Sequence, residues 1–196
     1  MKQTAQLLVF VSSILLLITT PAVYAHTGVG SVTGFGAGFL HPLSGFDHLL
    51  AMVAVGLWAA QLGRNAVWMV PSTFVSVMIL GGILGIAGFH LPYIETGILV
   101  SILVLGIFIT LALKLPLVIS MLVVGLFALF HGHAHGTEMP IATGGLFYSM
   151  GFAGATALLH LSGIALGVSA QKLSMEKVTR FAGVVITMSG FYLMFS

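Results

Sequence analysis

Cysteine is absent from this 196-residue chain, and charged side chains are scarce. Without thiols the chain can form no disulfide, no thiolate-held iron–sulfur cluster and no thiolate metal site. Only 5% of the residues are charged, against roughly a quarter in a soluble domain, and 59% are hydrophobic, which excludes a water-soluble globule. Six Lys and Arg are too few to neutralise a nucleic-acid backbone, so we expect no nucleic-acid partner. Any metal site must therefore use imidazole, carboxylate, carbonyl or thioether ligands.

Several enzyme motifs are missing as well. The chain has no Gly-x-x-x-x-Gly-Lys-Ser/Thr segment for binding ATP and no His-Glu-x-x-His segment for a metalloprotease. Ser44 and Ser162 have histidines nearby, but neither lies in a Gly-x-Ser-x-Gly nucleophile elbow. We therefore expect that the protein is not an enzyme.

The amino-terminal residues 1–25 are typical of a cleavable signal peptide. Lys2 precedes an apolar run over residues 7–18, and small residues lead up to Ala25, where we expect cleavage. An uncleaved anchor is the alternative, although the run is shorter than the roughly 20 residues that cross a bilayer. Cleavage would make His26 the new amino terminus, where its amine and imidazole could together chelate a metal.

The remaining residues, 26–196, predict a single all-α domain of six transmembrane helices. Isolated charged residues separate long apolar stretches, which is the pattern of a multi-pass membrane protein. The predicted spans lie at about residues 43–62, 67–89, 94–113, 116–134, 142–169 and 177–195. The fifth span is long enough to tilt or to begin as a re-entrant turn.

The basic residues predict the orientation of these spans. A secretory signal places the mature amino terminus outside, and each span then changes the side. Every Lys and Arg after the signal peptide falls on the inner side: Arg64, Lys114, Lys172, Lys177 and Arg180. The positive-inside rule thus supports six spans in a bacterial-type inner membrane, with the mature amino terminus on the periplasmic side.

A first polar motif, His-Pro-Leu-Ser-Gly-Phe-Asp-His over residues 41–48, opens the first predicted span. On a continuous helix His41 and His48 share one face, and Asp47 lies beside His48. Pro42 suits the first position of a helix, so we expect the helix to begin near His41.

A second polar motif, Phe-His-Gly-His-Ala-His-Gly-Thr-Glu-Met-Pro, closes the fourth predicted span at residues 130–140. On a helix His131, His135 and Glu138 fall on one face, whereas His133 points roughly the opposite way. A glycine and a proline suggest that the helix ends within this motif, so a turn can supply Glu138.

The predicted topology brings both motifs to the outer membrane face. Ionisable groups there are costly, about 2.5 to 3.5 kcal/mol each at a helix centre, and usually mark a ligand site or a pathway. A divalent cation would offset that cost, and the ligand types suit Ni, Co, Zn, Cu or Mn. Alternatively, these groups hydrogen-bond one another and tie helix ends together. His160, about four turns inside the fifth span, is either a second station on a pathway or makes a hydrogen bond that packs two helices together.

The two motifs also carry a resemblance to a known family. HPLSGFDH followed by Leu-Leu-Ala-Met, and FHGHAHGTE, resemble the signature segments of the HupE/UreJ family over the whole mature chain. That family contains hydrogenase and urease accessory membrane proteins regarded as nickel or cobalt permeases. The resemblance implies a metal site formed by His41, Asp47, His48, His131, His135 and Glu138. His133, at a variable position of the second motif, His160 and His26 are further candidate ligands.

These observations predict a permease that captures Ni²⁺ or Co²⁺ at its outer face. The metal would be cargo rather than a permanently bound cofactor. The expected partners are the lipid bilayer, metalloenzyme maturation proteins and a further copy of the chain. Two alternatives stay open: an accessory protein that binds metal without transporting it, and a membrane haem protein with His48, His131 or His160 as haem ligands.

Overall fold

The computed structural model describes residues 34–139 and 145–196, which form seven α-helices and contain no strand. The predicted signal peptide and His26 lie outside these residues. The helices are α1 Phe35–Ser44, α2 Phe46–Leu62, α3 Ala66–Ile86, α4 Ile94–Leu111, α5 Leu117–Glu138, α6 Gly145–Lys172 and α7 Glu176–Phe195. The all-α fold class is therefore confirmed for the described part of the chain.

Most of these helices have the length and composition of membrane spans. Each of α3 to α7 is long and apolar enough to cross a bilayer, and α1 with α2 forms a bent pair that can count as one more span. Large apolar side chains such as Trp68, Leu122 and Phe191 are more than half exposed on the outside of the bundle, as a lipid environment requires. The chain is thus a multi-pass membrane protein with five or six candidate spans.

The expectation of one continuous helix beginning near His41 is wrong. Helix α1 begins at Phe35, so Pro42 lies inside it rather than at its first position. The chain then turns by 85° at Gly45, whose backbone is extended with φ −90 and ψ 117. Helix α2 starts directly afterwards at Phe46. The apolar pattern of the sequence carries no signal for this change of direction.

Close backbone contacts between helices explain much of the glycine content. A Cβ at Gly132 of α5 would meet the backbone of Met78 in α3, and one at Gly56 of α2 would meet the backbone of His160 in α6. In lipid, small residues at such crossings allow the dispersion contacts that hold helices together. The contacts of α3 with α5 and of α2 with α6 are accordingly among the most extensive in the bundle.

The two ends of the bundle differ in charge and in residue type. Helix α2 runs through its centre, with every residue from Leu49 to Ala60 buried. The basic residues predicted for the inner side all lie in the connections or the terminal turns of helices at one end of the bundle, near the end of α2. Both histidine motifs lie at the opposite end, around the start of α2 and the end of α5. The bundle therefore has one basic end and one histidine-rich end.

Candidate metal centre

The break between α1 and α2 brings the first histidine motif against the second. His41, at the end of α1, has its ring centroid 4.7 Å from that of His135 in α5. His48, in the first turn of α2, lies 4.5 Å from His135 and 5.4 Å from His131. Three helices therefore place four imidazoles in one group, even though the first motif is not a continuous helix.

A carboxylate completes the part of this group nearest the end of the bundle. One ligand atom each from His41, His135 and Glu138 lie within 4.8 Å of one another, the only such set of three metal-ligating side chains among residues 34–139 and 145–196. Ligands about 2.1 Å from one ion are at most about 4 Å apart, so a small contraction would close the set around a metal. Glu138 is the last residue of α5, one turn after His135, and so belongs to the helix rather than to a turn.

Asp47 contacts the imidazole of His48 directly. The Nδ1 of His48 donates to Asp47 Oδ1 at 2.7 Å, and the Nε2 of His48 is buried without a hydrogen-bond partner in the described chain. This arrangement of carboxylate and histidine, with the far nitrogen left for a cation, is the usual second-shell geometry of histidine metal ligands. Gly45 leaves room for it, because a Cβ there would lie 2.9 Å from both Asp47 Oδ1 and His48 Nδ1.

His131 has the same arrangement with a backbone partner. Its Nδ1 donates to the carbonyl oxygen of Phe127 at 2.9 Å, while its Nε2 is buried and unpaired among the described residues. His135 is also buried, and neither of its ring nitrogens has a hydrogen-bond partner within that part of the chain. Burying a polar atom without a partner costs free energy, which a ligand bound to these nitrogens would recover.

His133 stands apart from this group. Its Nε2 donates to the carbonyl oxygen of Phe89, in the connection between α3 and α4, at 2.6 Å. The helical spacing predicted that His133 points away from His131 and His135, and the structure places it against this connection. This hydrogen bond holds α5 against the connection that follows α3.

Aromatic side chains form a wall that sequence reasoning missed. Phe152 of α6 lies 4.1 Å from the ring of His135, and Tyr148, one turn earlier, lies 6.0 Å from the ring of His41. Phe74 of α3 contacts His131 on the inner side at 5.5 Å. The spacing of Tyr148 and Phe152 places them on one helix face, but nothing in the sequence shows that this face meets the histidines. The wall lowers the local polarity, which strengthens electrostatic attraction to a cation.

Each end of the bundle also has a cavity. A cavity of about 190 Å³ opens beside His135 and is lined by side chains that include Met78, Met139, Tyr148 and Phe152. A larger one of about 570 Å³ lies at the basic end, lined by residues that include Gln61, Lys114, Gln171, Glu176 and Arg180. The positive side chains of Lys114 and Arg180 make this cavity a poor binding site for a metal ion. Its volume is large enough to hold water.

His160 lies deeper than the other histidines. It is 1% exposed in α6, about 22 Å along the helix from Gly145 at the histidine-rich end. Neither ring nitrogen has a hydrogen-bond partner within the described chain, so the packing hydrogen bond considered as its alternative role is not formed there.

The apolar helices and the buried imidazole cluster define a multi-pass membrane protein with a set of potential metal ligands at one end. Residues 14–193 match the sequence model of the family described as HupE / UreJ protein. The chain is 43% identical over 181 residues to Protein HupE of Rhizobium leguminosarum bv. viciae, an alignment that covers 92% of this chain and 94% of that relative. The chain therefore belongs to the HupE/UreJ family, as its two motifs predicted. No solved structure matches it.

Proposed function

We propose that the protein is an inner-membrane permease for a divalent transition metal, Ni²⁺ or Co²⁺, and that it supplies the metal for hydrogenase or urease maturation. The observation that carries this proposal is the convergence of ligand atoms from His41, His135 and Glu138 within 4.8 Å of one another. Membership in the HupE/UreJ family supports it, because the resemblance of the two motifs to that family implies a nickel or cobalt permease.

The burial of the cluster suits capture followed by inward movement. Glu138 is exposed, His41 is half-buried, and His135 and His131 are buried. An incoming ion would meet the carboxylate first and exchange its water molecules for imidazole nitrogens step by step. Imidazole and carboxylate ligands without thiolate suit Ni²⁺ and Co²⁺, although they do not select between them.

Asp47 acts in this proposal by orienting His48. Its Oδ1 accepts the Nδ1 hydrogen, so the Nε2 lone pair of His48 is available to the ion. We retain Asp47 in the metal site in this role, together with His48 and His131. His133, whose Nε2 is engaged by a carbonyl group, is assigned a structural role.

The membrane potential is sufficient to drive entry. A divalent ion that moves down an inside-negative potential gains about 2 × 2.3 kcal/mol per 100 mV. At equilibrium this free energy permits an inner concentration of the ion about a thousand times the outer one, so the proposed transport needs no ATP.

The proposed topology has six crossings, with α1 and α2 together forming the first, after cleavage of the signal peptide behind Ala25. The histidine-rich end would face the periplasm, because all five basic residues after the signal peptide lie at or near the opposite end. Metalloenzyme maturation proteins would then receive the metal on the inner side.

The test is uptake of radioactive nickel and cobalt into proteoliposomes with and without an inside-negative potential. We expect saturable, potential-sensitive uptake by the wild type and its loss in His135→Ala. His90→Ala is the matched control, because His90 is exposed in the connection between α3 and α4, outside the cluster. This variant should transport like the wild type.

Other outcomes of this experiment identify the alternatives. Nickel binding to the purified protein without uptake above empty vesicles would overturn the permease and favour an accessory metal-binding protein. A Soret band in the purified protein would favour a haem protein instead. The size of the cavity beside the histidines counts against haem binding. At about 190 Å³ the cavity is smaller than the 300 to 1,000 Å³ typical of pockets for drug-sized ligands.

A further inference from the structure

His160 belongs to a buried layer of side chains directly beneath the outer cluster. The ring of Phe74 contacts both His131, at 5.5 Å, and His160, at 5.0 Å between centroids. One phenyl ring therefore bridges the innermost histidine of the cluster and the histidine near the middle of the membrane. No other described side chain makes a ring contact with His160.

Two further atoms that can bind a metal, the Thr156 hydroxyl oxygen and the Met78 sulfur, lie in the same layer. Thr156 precedes His160 by one helical turn on α6, so the two side chains share a face. The Thr156 hydroxyl donates to the thioether sulfur of Met78 at 3.7 Å. Met78 in turn follows Phe74 by one turn on α3. All of these side chains are at most 3% exposed.

The unsatisfied nitrogens of His160 indicate what this layer binds. A neutral imidazole has one N–H and one lone pair, and both ring nitrogens of His160 are buried without a partner in the described chain. Such a group in hydrocarbon is costly and usually marks a pathway. The layer also holds the Met78 thioether, which contacts the Thr156 hydroxyl one turn from His160. Imidazole and thioether together form a softer ligand set than the outer carboxylate and imidazoles, and they suit late transition metals rather than Mg²⁺ or Ca²⁺.

We propose that His160, with the Met78 thioether and the Thr156 hydroxyl, forms a second metal site within the membrane, which the ion occupies after leaving the outer cluster. The proposal deepens the proposed function and rests on it for the direction of movement. The inner site would also act as a filter, because hard cations that reach the exposed carboxylate of Glu138 gain little from imidazole and thioether ligands.

The test combines metal binding and transport in the purified, reconstituted full-length protein. Equilibrium dialysis with radioactive Ni²⁺ should show two bound ions per wild-type chain and one in His160→Leu, with the affinity of the remaining outer site unchanged. The same variant should lose at least about tenfold in maximal uptake rate, since the loss of even an outer-shell partner of a metal ligand commonly costs 10- to 100-fold in affinity or activity. The nickel concentration for half-maximal uptake should stay the same, because the outer cluster that captures the ion is intact in His160→Leu.

A second pair of variants covers the case in which His160→Leu does not fold. Met78→Leu removes the sulfur at nearly constant volume and should also lower the maximal uptake rate. Met188→Leu is the matched control, because Met188 is 63% exposed on α7, away from this layer. It should transport like the wild type.

The remaining outcomes distinguish failure of the proposed inner site from failure of the proposed permease. Wild-type uptake and binding of two ions by His160→Leu would overturn the inner site and leave the permease intact. A His160-dependent second ion in a wild type that does not transport would support the site and overturn the permease. Equal loss of both bound ions in a folded His160→Leu would assign His160 a structural role and contradict the proposal.

Discussion

The contact between Asp47 and His48 gives the candidate site its most specific residue-level feature. The short hydrogen bond of 2.7 Å fixes which nitrogen of His48 carries the hydrogen and which is left for a cation. Asp47 and His48 are adjacent in the chain, so their contact depends on the first turn of α2 and on the absence of a side chain at Gly45. Asp47, the first turn of α2 and the missing side chain at Gly45 together hold the imidazole of His48 in one orientation.

Replacing Asp47 by asparagine should weaken metal binding without removing a direct ligand. In Asp47→Asn the neutral amide replaces the carboxylate that accepts the Nδ1 hydrogen of His48 and orients its ring, so we expect the Ni²⁺ affinity to fall by about 10- to 100-fold. Equilibrium dialysis on the purified protein measures this change. Glu176→Gln, which changes the same functional group at the basic end, should bind like the wild type, and equal affinity of Asp47→Asn would contradict the role assigned to Asp47.

The residues that sequence reasoning found and missed differ in a physical way. Histidines and acids are rare in apolar sequence, so the two motifs by themselves point to His41, His48, His131, His135 and Glu138. Phe74, Tyr148 and Phe152 are ordinary members of apolar helices. Their position beside the imidazoles follows from the packing of α3 and α6, which one sequence does not reveal.

At the level of helices, the contact between α3 and α5 positions the second motif. Gly132 lies between His131 and His133, and a Cβ at this position would overlap the carbonyl group of Met78. The carbonyl belongs to a helix backbone and cannot move aside as a flexible side chain could. The close approach of the two helices therefore depends on the missing side chain.

Gly132→Ala should consequently destabilise the protein. Forcing one methyl group into such a contact costs about 1 to 3 kcal/mol, which should lower the melting temperature in detergent. Gly125→Ala is a matched control in the same helix, because its Cβ would meet only Thr73 and Val77 at 3.7 Å. A melting temperature for Gly132→Ala equal to that of Gly125→Ala would contradict this account of the packing.

Helix bounds were largely predictable, and the geometry of the first span was not. Charged residues and apolar runs located α3, α4, α5 and α7 to within a few residues. The 85° turn at Gly45 escaped prediction, since a proline three residues earlier suited a helix start equally well. The structure shows that Gly45, rather than Pro42, marks the change in direction, and the resulting fold still unites His41 with His48 through their shared neighbour His135.

For the molecule as a whole, the separation of basic and histidine-rich ends predicts its orientation. The chain has no cysteine, so single cysteines can be introduced without altering the background. We expect a membrane-impermeant maleimide to label His90→Cys in intact spheroplasts and to label Asn65→Cys only after permeabilisation. Both positions are exposed in connections at opposite ends. The reverse labelling pattern would place the metal cluster on the inner side.

Metal capture should also depend on pH. Imidazole binds a metal in its neutral form, so protons compete with the ion as the pH falls. We expect Ni²⁺ uptake at a fixed potential to decline as the outer solution is acidified, whereas empty vesicles show no such change. Uptake that does not decline at any acidic pH at which the protein stays folded would count against capture by imidazole.

The central claim is that the histidines of two separate motifs bind one metal ion together, and X-ray absorption spectroscopy of the nickel-loaded protein tests it most directly. The spectrum of the wild type should contain the multiple scattering of several imidazole rings. That scattering should weaken when His41 and His135, one from each motif, are replaced by alanine in turn. A nickel ion surrounded by oxygen alone, or a spectrum that neither substitution changes, would contradict the claim.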